Sequence, residues 1–307
     1  MISLGIDTSN YTTSLALYDS KAGLIKQCRK LLPVKPGATG LRQSDAVFLH
    51  TKALPELTAE LFDNVNIRPD VIGVSTKSTD RDGSYMPCFL TGEGLAKSLG
   101  SILNIPVYEF SHQAGHIAAA ALSAKRTELF DGEFIAFHIS GGTTDAVKVS
   151  PAANMQGFDI KQCGGSSDLH AGQAIDRVGT MLSLPFPAGP ALDALSLKCD
   201  KKIKVHTSAK GSFCSLSGLE NKCRKMFDDG VAHSEIAKYC LEYIAASIRD
   251  ILNGTENCGT LPVLFSGGVM SNTIIRERLS RFPNAVFALP EFSTDNAAGT
   301  AYLAARI

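Results

Sequence analysis

Two stretches of the chain share one pattern of apolar and polar positions. ISLGIDTSNYTTSLALYD (2–19) and IAFHISGGTTDAVKVS (135–150) each run from an apolar strand into a small polar turn. Each then passes through a Thr-Thr pair and out along a second strand. The pattern predicts a β-hairpin in both places. A loop rich in Lys, Pro and Gly follows the first hairpin, and DAVFLHTKALPELTAELFDN then carries apolar residues at helical spacing. Pro55 inside that segment predicts a kink or break, because proline has no N–H to donate. Strand DVIGVSTK, helix LTGEGLAKSLGSILN and strand IPVYEF come next.

A second series begins at IAFHIS and DAVKVS and continues into the helix HAGQAIDRVGTMLSL. Residues 185–222 read as irregular, rich in Pro, Gly and Lys. The long helix HSEIAKYCLEYIAASIRDILNG, strand LPVLFSGGV, helix SNTIIRERLSRF, strand NAVFALPE and helix TDNAAGTAYLAAR close the chain. Strands alternating with helices argue an α/β architecture with partly parallel sheets. The second half echoes the first, so the expected architecture is a duplicated domain of the actin, sugar-kinase and Hsp70 kind (the ASKHA fold). Two lobes, each a mixed sheet flanked by helices, would hold a ligand between the two hairpin turns. The expected boundaries are 1–125 for the first lobe, with the helix at 296–307 packing back on it, and 126–295 for the second, with a basic insertion near 198–225.

Composition narrows the class. The 307 residues are 44% hydrophobic and 20% charged, as in ordinary globular proteins. No apolar run is long enough to span a bilayer, and MISLGIDTSN lacks the basic region of a signal peptide. Eight scattered cysteines without CxxC spacing read as reduced thiols of a cytoplasmic protein. A formal net charge of zero removes any global basic field for nucleic acid.

Five features carry candidate chemistry. The turn Ser140-Gly141-Gly142-Thr143 offers closely spaced N–H groups that suit phosphate oxygens, or is a tight turn that needs glycine. Ser266-Gly267-Gly268 follows a strand and opens a helix, where Asn272 reads a base or ribose edge or caps the helix. With each GG turn placed at a strand end in its own half, the two together favour a nucleotide. His112 and His116 in SHQAGHIAAAAL stand four apart, on one helix face, close enough to share an ion; the alternative is two solvent-facing rings. Asp295 in STDNAAG is the best third ligand. Gln113 occupies the place of the general-base Glu of HExxH, which speaks against a zinc peptidase. Asp176, and Asp193 just beyond Gly189, either accept from ribose hydroxyls or are solvated helix residues. The cations from Lys198 to Lys225 meet RNA phosphates or form a solvated loop.

Taken in order, SHQAGH, HISGGTTD, AGQAIDRVG with PFPAGPALD, SFCSLSGL, LFSGGVMSN and STDNAAG resemble the motifs of the tRNA threonylcarbamoyladenosine transferase family, the TsaD/Gcp (peptidase M22-like) group. The resemblance implies that His112, His116 and Asp295 hold one transition metal, iron or zinc. It implies that His138, Ile139, Ser140, Gly141 and Gly142 line the substrate and phosphate site. It gives Asp176, Gly189, Asp193 and Asn272 the nucleoside of an adenine nucleotide or acyl-adenylate, with or without Mg²⁺. The implied reaction moves a threonylcarbamoyl group from that adenylate to the amine of a tRNA adenosine near the anticodon. Implied partners are tRNA and either a TsaB-like paralogue in a heterodimer or a second copy in a homodimer; no membrane is implied.

The chain also departs from that family. Where the family's first turn reads Cys-Asp-Glu-Thr, this one has Asn10, Tyr11, Thr12 and Thr13. Thr143 replaces a His after SGG, and STDRDGSYMPCFLTG replaces a glycine-rich PGL segment. Neither Tyr nor Thr supplies a carboxylate's charge at neutral pH. The catalytic residues are therefore unassigned, and a divergent paralogue is expected. The leading reading is metal-dependent transfer of a carbamoyl-type group. The rivals are a non-catalytic nucleotide- and metal-holding partner, a small-molecule carbamoyltransferase, and an ATP-dependent small-molecule kinase.

Overall fold

The structure, a computed structural model, describes residues 1–9, 11–34, 41–152, 158–257, 259–289 and 297–307. The chain divides into two compact units. One holds Met1–Thr127, Pro151–Asp159 and Thr294–Ile307; the other holds Glu128–Ser150 and Ile160–Ser293.

In the first unit, β1 (Ile2–Asp7) and β2 (Thr12–Asp19) form the expected hairpin, paired from Ile2 opposite Asp19 to Asp7 opposite Ser14. Strand β3 (Gly23–Leu31) adds antiparallel to β2. On the other side β4 (Val71–Lys77) runs parallel to β1, and β5 (Val107–Ser111) parallel to β4, giving the order β3-β2-β1-β4-β5. Helix α1 (Gln43–Phe62) precedes β4, α2 (Phe89–Leu103) precedes β5, and α3 (His112–Ser123) follows it. Leu4, Ile6, Leu15, Leu17, Ile72 and Val74 pack with Leu54, Leu57 and Leu61 of α1. Helix α1 runs uninterrupted through Pro55, so the expected break is absent. Burial of Ala46, His50, Ala53, Leu54, Leu57 and Leu61 along one side outweighs the one backbone bond proline removes.

In the second unit, β6 (Phe134–Ile139) and β7 (Thr144–Pro151) form the second hairpin, and β8 (Phe158–Ser166) lies beside β7. Helices α4 (Ala171–Met181) and α5 (Gly189–Ser196) lead to strands β9 (Ser208–Lys210) and β10 (Phe213–Ser215). After α6 (Ser217–Asp228) and α7 (His233–Gly254), β11 (Val263–Ser266) joins β6 in parallel. Helix α8 (Thr273–Leu279) precedes β12 (Ala285–Phe287), which runs parallel to β11. Within the order β12-β11-β6-β7-β8-β10-β9, the run β8-β7-β6-β11-β12 repeats β3-β2-β1-β4-β5. The same hairpin is written twice because each sheet is built around one. The architecture is thus α/β, two mixed sheets flanked by helices. The region expected to be irregular, 185–222, instead holds α5, β9, β10 and the start of α6; Leu192, Cys214, Leu216 and Leu219 give these short elements buried anchors.

Helix α9 (Ala298–Arg306) closes the first unit against α3 at backbone distance. A Cβ on Gly299 would sit 1.9 Å from the carbonyl oxygen of Gly115, so only glycine fits that crossing. This explains the small-residue stretch after His112: Ala118, Ala119, Ala120 and Ala121 are all buried.

Candidate functional site

In the first unit the hairpin turn and the start of α3 supply the polar groups. Strand β1 is apolar but for Ser3 up to Asp7, whose carboxylate ends the strand at 1% exposure. Its Oδ2 lies 2.8 Å from His112 Nδ1, and its Oδ1 accepts the Ser9 N–H at 2.9 Å. Burial opposes the ionised form. The His112 ring, with hydrogen bonds from Ser75 and Ser9, overcomes that and holds the Asp7 carboxyl down at about 2. Ser111 caps α3, accepting from the Ala114 N–H at 3.1 Å and donating to Asp80 at 3.0 Å. That cap fixes His112 at the first helical position, and the spacing of four brings His116 beside it. The two rings meet edge to face with centroids 4.3 Å apart. Both are half-buried rather than solvated.

A third imidazole of the same unit was not flagged by the motifs. His50 of α1 is fully buried; its Nδ1 lies 2.8 Å from Thr13 Oγ1, and its Nε2 meets no hydrogen-bond partner among the described residues. Burial pushes its pKa down to about 4, with Asp7 offsetting part of the effect. Thr12 is buried at 7%, whereas Tyr11 is 38% exposed. Asn10 lies outside the described residues, and so does Asp295.

In the second unit the turn Ser140–Thr143 closes with the Ser140 N–H donating to the Thr143 carbonyl at 2.8 Å. Gly141 and Gly142 are exposed, with open space where a Cβ would stand. The N-terminus of α4 abuts this turn: the Gly172 N–H donates to the Ser140 carbonyl at 3.1 Å and Ala171 N–H to Thr144 Oγ1 at 2.9 Å. Ile139 is fully buried in the core, and His138 Nδ1 lies 3.3 Å from Ser266 Oγ. The two GG turns do not belong to separate halves: both stand in this unit, on the adjacent strands β6 and β11. Gly267 has φ +97°, and a Cβ there would lie 2.2 Å from the Ile139 carbonyl oxygen. Its glycine is demanded by that contact.

Asn272 caps α8, its Oδ1 accepting from the Ile275 N–H at 3.1 Å. Its Nδ2 is buried without a hydrogen-bond partner among the described residues, a donor with capacity for a ligand oxygen. Asp193 accepts from Thr273 twice, N–H and Oγ1 at 3.1 and 2.8 Å. Asp176 accepts from the Ala188 N–H at 2.8 Å and so fixes the loop before Gly189, where α5 begins. Neither acid is simply solvated; each tethers one segment of the unit to another.

Comparison with known proteins bears on this pair of sites. The model of one family, "tRNA N6-adenosine threonylcarbamoyltransferase" (TsaD), matches residues 39–302. The chain belongs to the TsaD family. A curated transferase of that description from Thermus thermophilus is 28% identical over 99% of this chain and 92% of its own length. Another from Buchnera aphidicola is 29% identical over 98% and 90%. Among solved structures, full-length HypF "in the phosphate- and nucleotide-bound form" superposes with a TM-score of 0.62 at 12% identity, over 99% of this chain and 54% of that one. Component A of the Acidaminococcus fermentans (R)-2-hydroxyglutaryl-CoA dehydratase gives 0.56 at 15%, over 100% and 98%. These likenesses show the actin-like, duplicated fold.

For a TsaD-family chain, two N-donor rings in contact suit a borderline transition ion better than Mg²⁺, which prefers oxygen. With the Nδ1 proton of His112 held by Asp7, the lone pair of the neutral ring is on Nε2, where it could ligate an ion. The described residues contain no group of three or more metal-ligating side chains. Asp7 and His50 were not singled out in the sequence. Asp7 was legible as a carboxylate ending an otherwise apolar strand. His50 was legible only as a polar residue in phase with the apolar side of α1.

Proposed function

We propose that the chain transfers a threonylcarbamoyl or related carbamoyl-type group from a bound adenylate to an amine, with a tRNA adenosine near the anticodon as the acceptor. The contact that carries this reading is Asp7–His112, with His116 against it, in a chain of the TsaD family. His112, His116 and Asp295 would hold an iron or zinc ion, which supplies Lewis acidity toward a carbonyl oxygen. Asp7 keeps the His112 proton on Nδ1 and the ring oriented. The Gly141 and Gly142 N–H groups donate to phosphate oxygens, and the Asn272 Nδ2 donates to the nucleoside. The acceptor amine attacks the carbonyl carbon; a C–N bond forms, the C–O bond to phosphate breaks, AMP departs with the electron pair, and the amine proton is released.

Tyr11 and Thr12 favour a second reading. In the resemblance these places hold carboxylates, and here no acid stands there to take the proton. A chain that holds nucleotide and metal for a catalytic partner, without turnover, fits that change.

The full chain, incubated with unmodified tRNA and threonylcarbamoyl-adenylate, decides between the two readings. The first predicts N6-threonylcarbamoyladenosine in the digested tRNA by mass spectrometry, absent with His116→Ala. Adenylate binding by folded protein without product would establish the second.

A further inference from the structure

The second unit carries a cavity of about 510 Å³ that none of the family motifs touches. Its walls come from one side of α7, where Glu242, Ala245, Ala246 and Arg249 fall at helical spacing, and from Arg278, Arg281 and Phe282 at the end of α8. Segment 203–206 closes it and contributes Lys204. Four cations line it against one carboxylate, Glu242. That carboxylate is spent: 8% exposed, it accepts from Arg278 Nε at 2.9 Å and Nη2 at 2.6 Å. The bidentate pair fixes the guanidinium in place. Arg249 and Arg281 pair only at the surface, with Asp250 at 3.4 Å and Glu277 at 3.3 Å, and their side chains are 56% and 67% exposed. Exposed pairs of that kind are weak and exchange readily for a stronger anion.

Shape separates a small ligand from an RNA backbone. Two alanines leave the floor of the recess open and apolar, and Phe282 adds a ring. A concave site of this volume, apolar within and cationic at the rim, suits a small amphipathic anion. Two cations of the basic stretch 198–225 are engaged elsewhere: Lys201 pairs with Glu235, and Lys222 donates to the His206 carbonyl at 2.9 Å and sits 4.9 Å over the Tyr243 ring.

We propose that this recess is a second binding site, distinct from the Asn272 region, for a small phosphorylated molecule with a planar or apolar body. Arg249 and Arg281 receive its phosphate, Arg278 is held beside them by Glu242 and Glu277, and the floor of Ala245 and Ala246 receives its body.

Calorimetric titration of the full chain with ADP as probe tests this. The variants are Arg249→Ala/Arg281→Ala, which removes rim charge, and Ala246→Leu, which fills the floor and keeps the charge. Both are expected to weaken one ADP binding step at least tenfold, with thermal midpoints near wild type. Asn272→Asp should leave that step intact. A second step, lost only in Asn272→Asp, belongs to the adenylate site of the proposed function; its absence would count against that site alone. ADP binding unchanged in both cavity variants overturns the proposal. So does loss of tRNA affinity in the double arginine variant with no change in Ala246→Leu and no ADP step, which would make the patch an RNA contact.

Discussion

Asp7 and His112 lie 105 residues apart in the chain and 2.8 Å apart in the structure. The parallel pairing of β1 with β4 and of β4 with β5 makes that contact: it sets the end of the first strand near the helix that leaves the last. The contacts around the buried carboxylate more than offset its desolvation cost, since its pKa is held below the ordinary value. The bond also fixes which nitrogen of the ring is basic, a property a metal ligand would need.

His50 gives the first unit an acid-sensitive component. Its folded pKa, about 4, lies below the ordinary 6.5, so the folded state binds fewer protons than the unfolded state between those values. Stability is therefore complete above pH 6.5, falls as pH drops toward 4, and levels off below. The span corresponds to about 3 kcal/mol for this group. Urea unfolding at pH 7, 5 and 4 should show that loss in the wild type and a flatter profile in His50→Gln. Equal slopes in the two proteins would remove His50 as the cause.

Gly299→Ala should act on the histidine pair from a distance. The added methyl would meet the Gly115 carbonyl, on the same helix as both rings, so α3 and α9 must separate. Overpacking of this kind costs about 1–3 kcal/mol. The thermal midpoint is expected to fall, together with metal affinity. A variant that matches wild type in both would show that the crossing tolerates the methyl.

Asn272→Asp separates capping from ligand contact. Aspartate keeps an oxygen for the Ile275 N–H but removes the Nδ2 donor. The unfolding free energy should stay within about 0.5 kcal/mol of wild type. Adenylate affinity should fall about tenfold, the loss of one hydrogen bond at a buried donor. Unchanged affinity would leave Asn272 as a cap alone.

Tyr11 is exposed enough to accept a carboxylate without burying it, whereas Thr12 is not. Tyr11→Asp should therefore raise the rate of product formation in the tRNA assay, by about tenfold or more if proton removal limits it. No gain, with metal and adenylate still bound, would favour the holding role.

Much of this was legible in the chain because burial on two faces leaves a strong trace. The runs ISLGID and FIAFHI read as strands from their apolar content, and the glycine-rich turns after β6 and β11 read as special backbone. What escaped notice was set by tertiary context. The segment 185–222 is too polar and too rich in Pro and Gly to show α5 or β10 by period alone. Gly267 looked like a phosphate contact, but the Ile139 carbonyl already requires it. Asp176 and Asp193 looked like free acids because their partners, Ala188 and Thr273, are identified only once the loops are folded. Asp7 is legible as a carboxylate at a strand end, but its partner His112 stands 105 residues on and is identified only once the sheet is formed.

The central claim is that His112 and His116, with Asp7 behind them, form a transition-metal site. The most direct test is elemental analysis of the full chain, loaded with Fe²⁺ or Zn²⁺ and dialysed, beside His112→Ala/His116→Ala and Asp7→Asn. The account predicts close to one ion per chain in the wild type and none in the double histidine variant. It predicts an affinity lowered about 10–100-fold in Asp7→Asn. A wild type that retains no ion, or a double variant that retains as much as wild type, would contradict it.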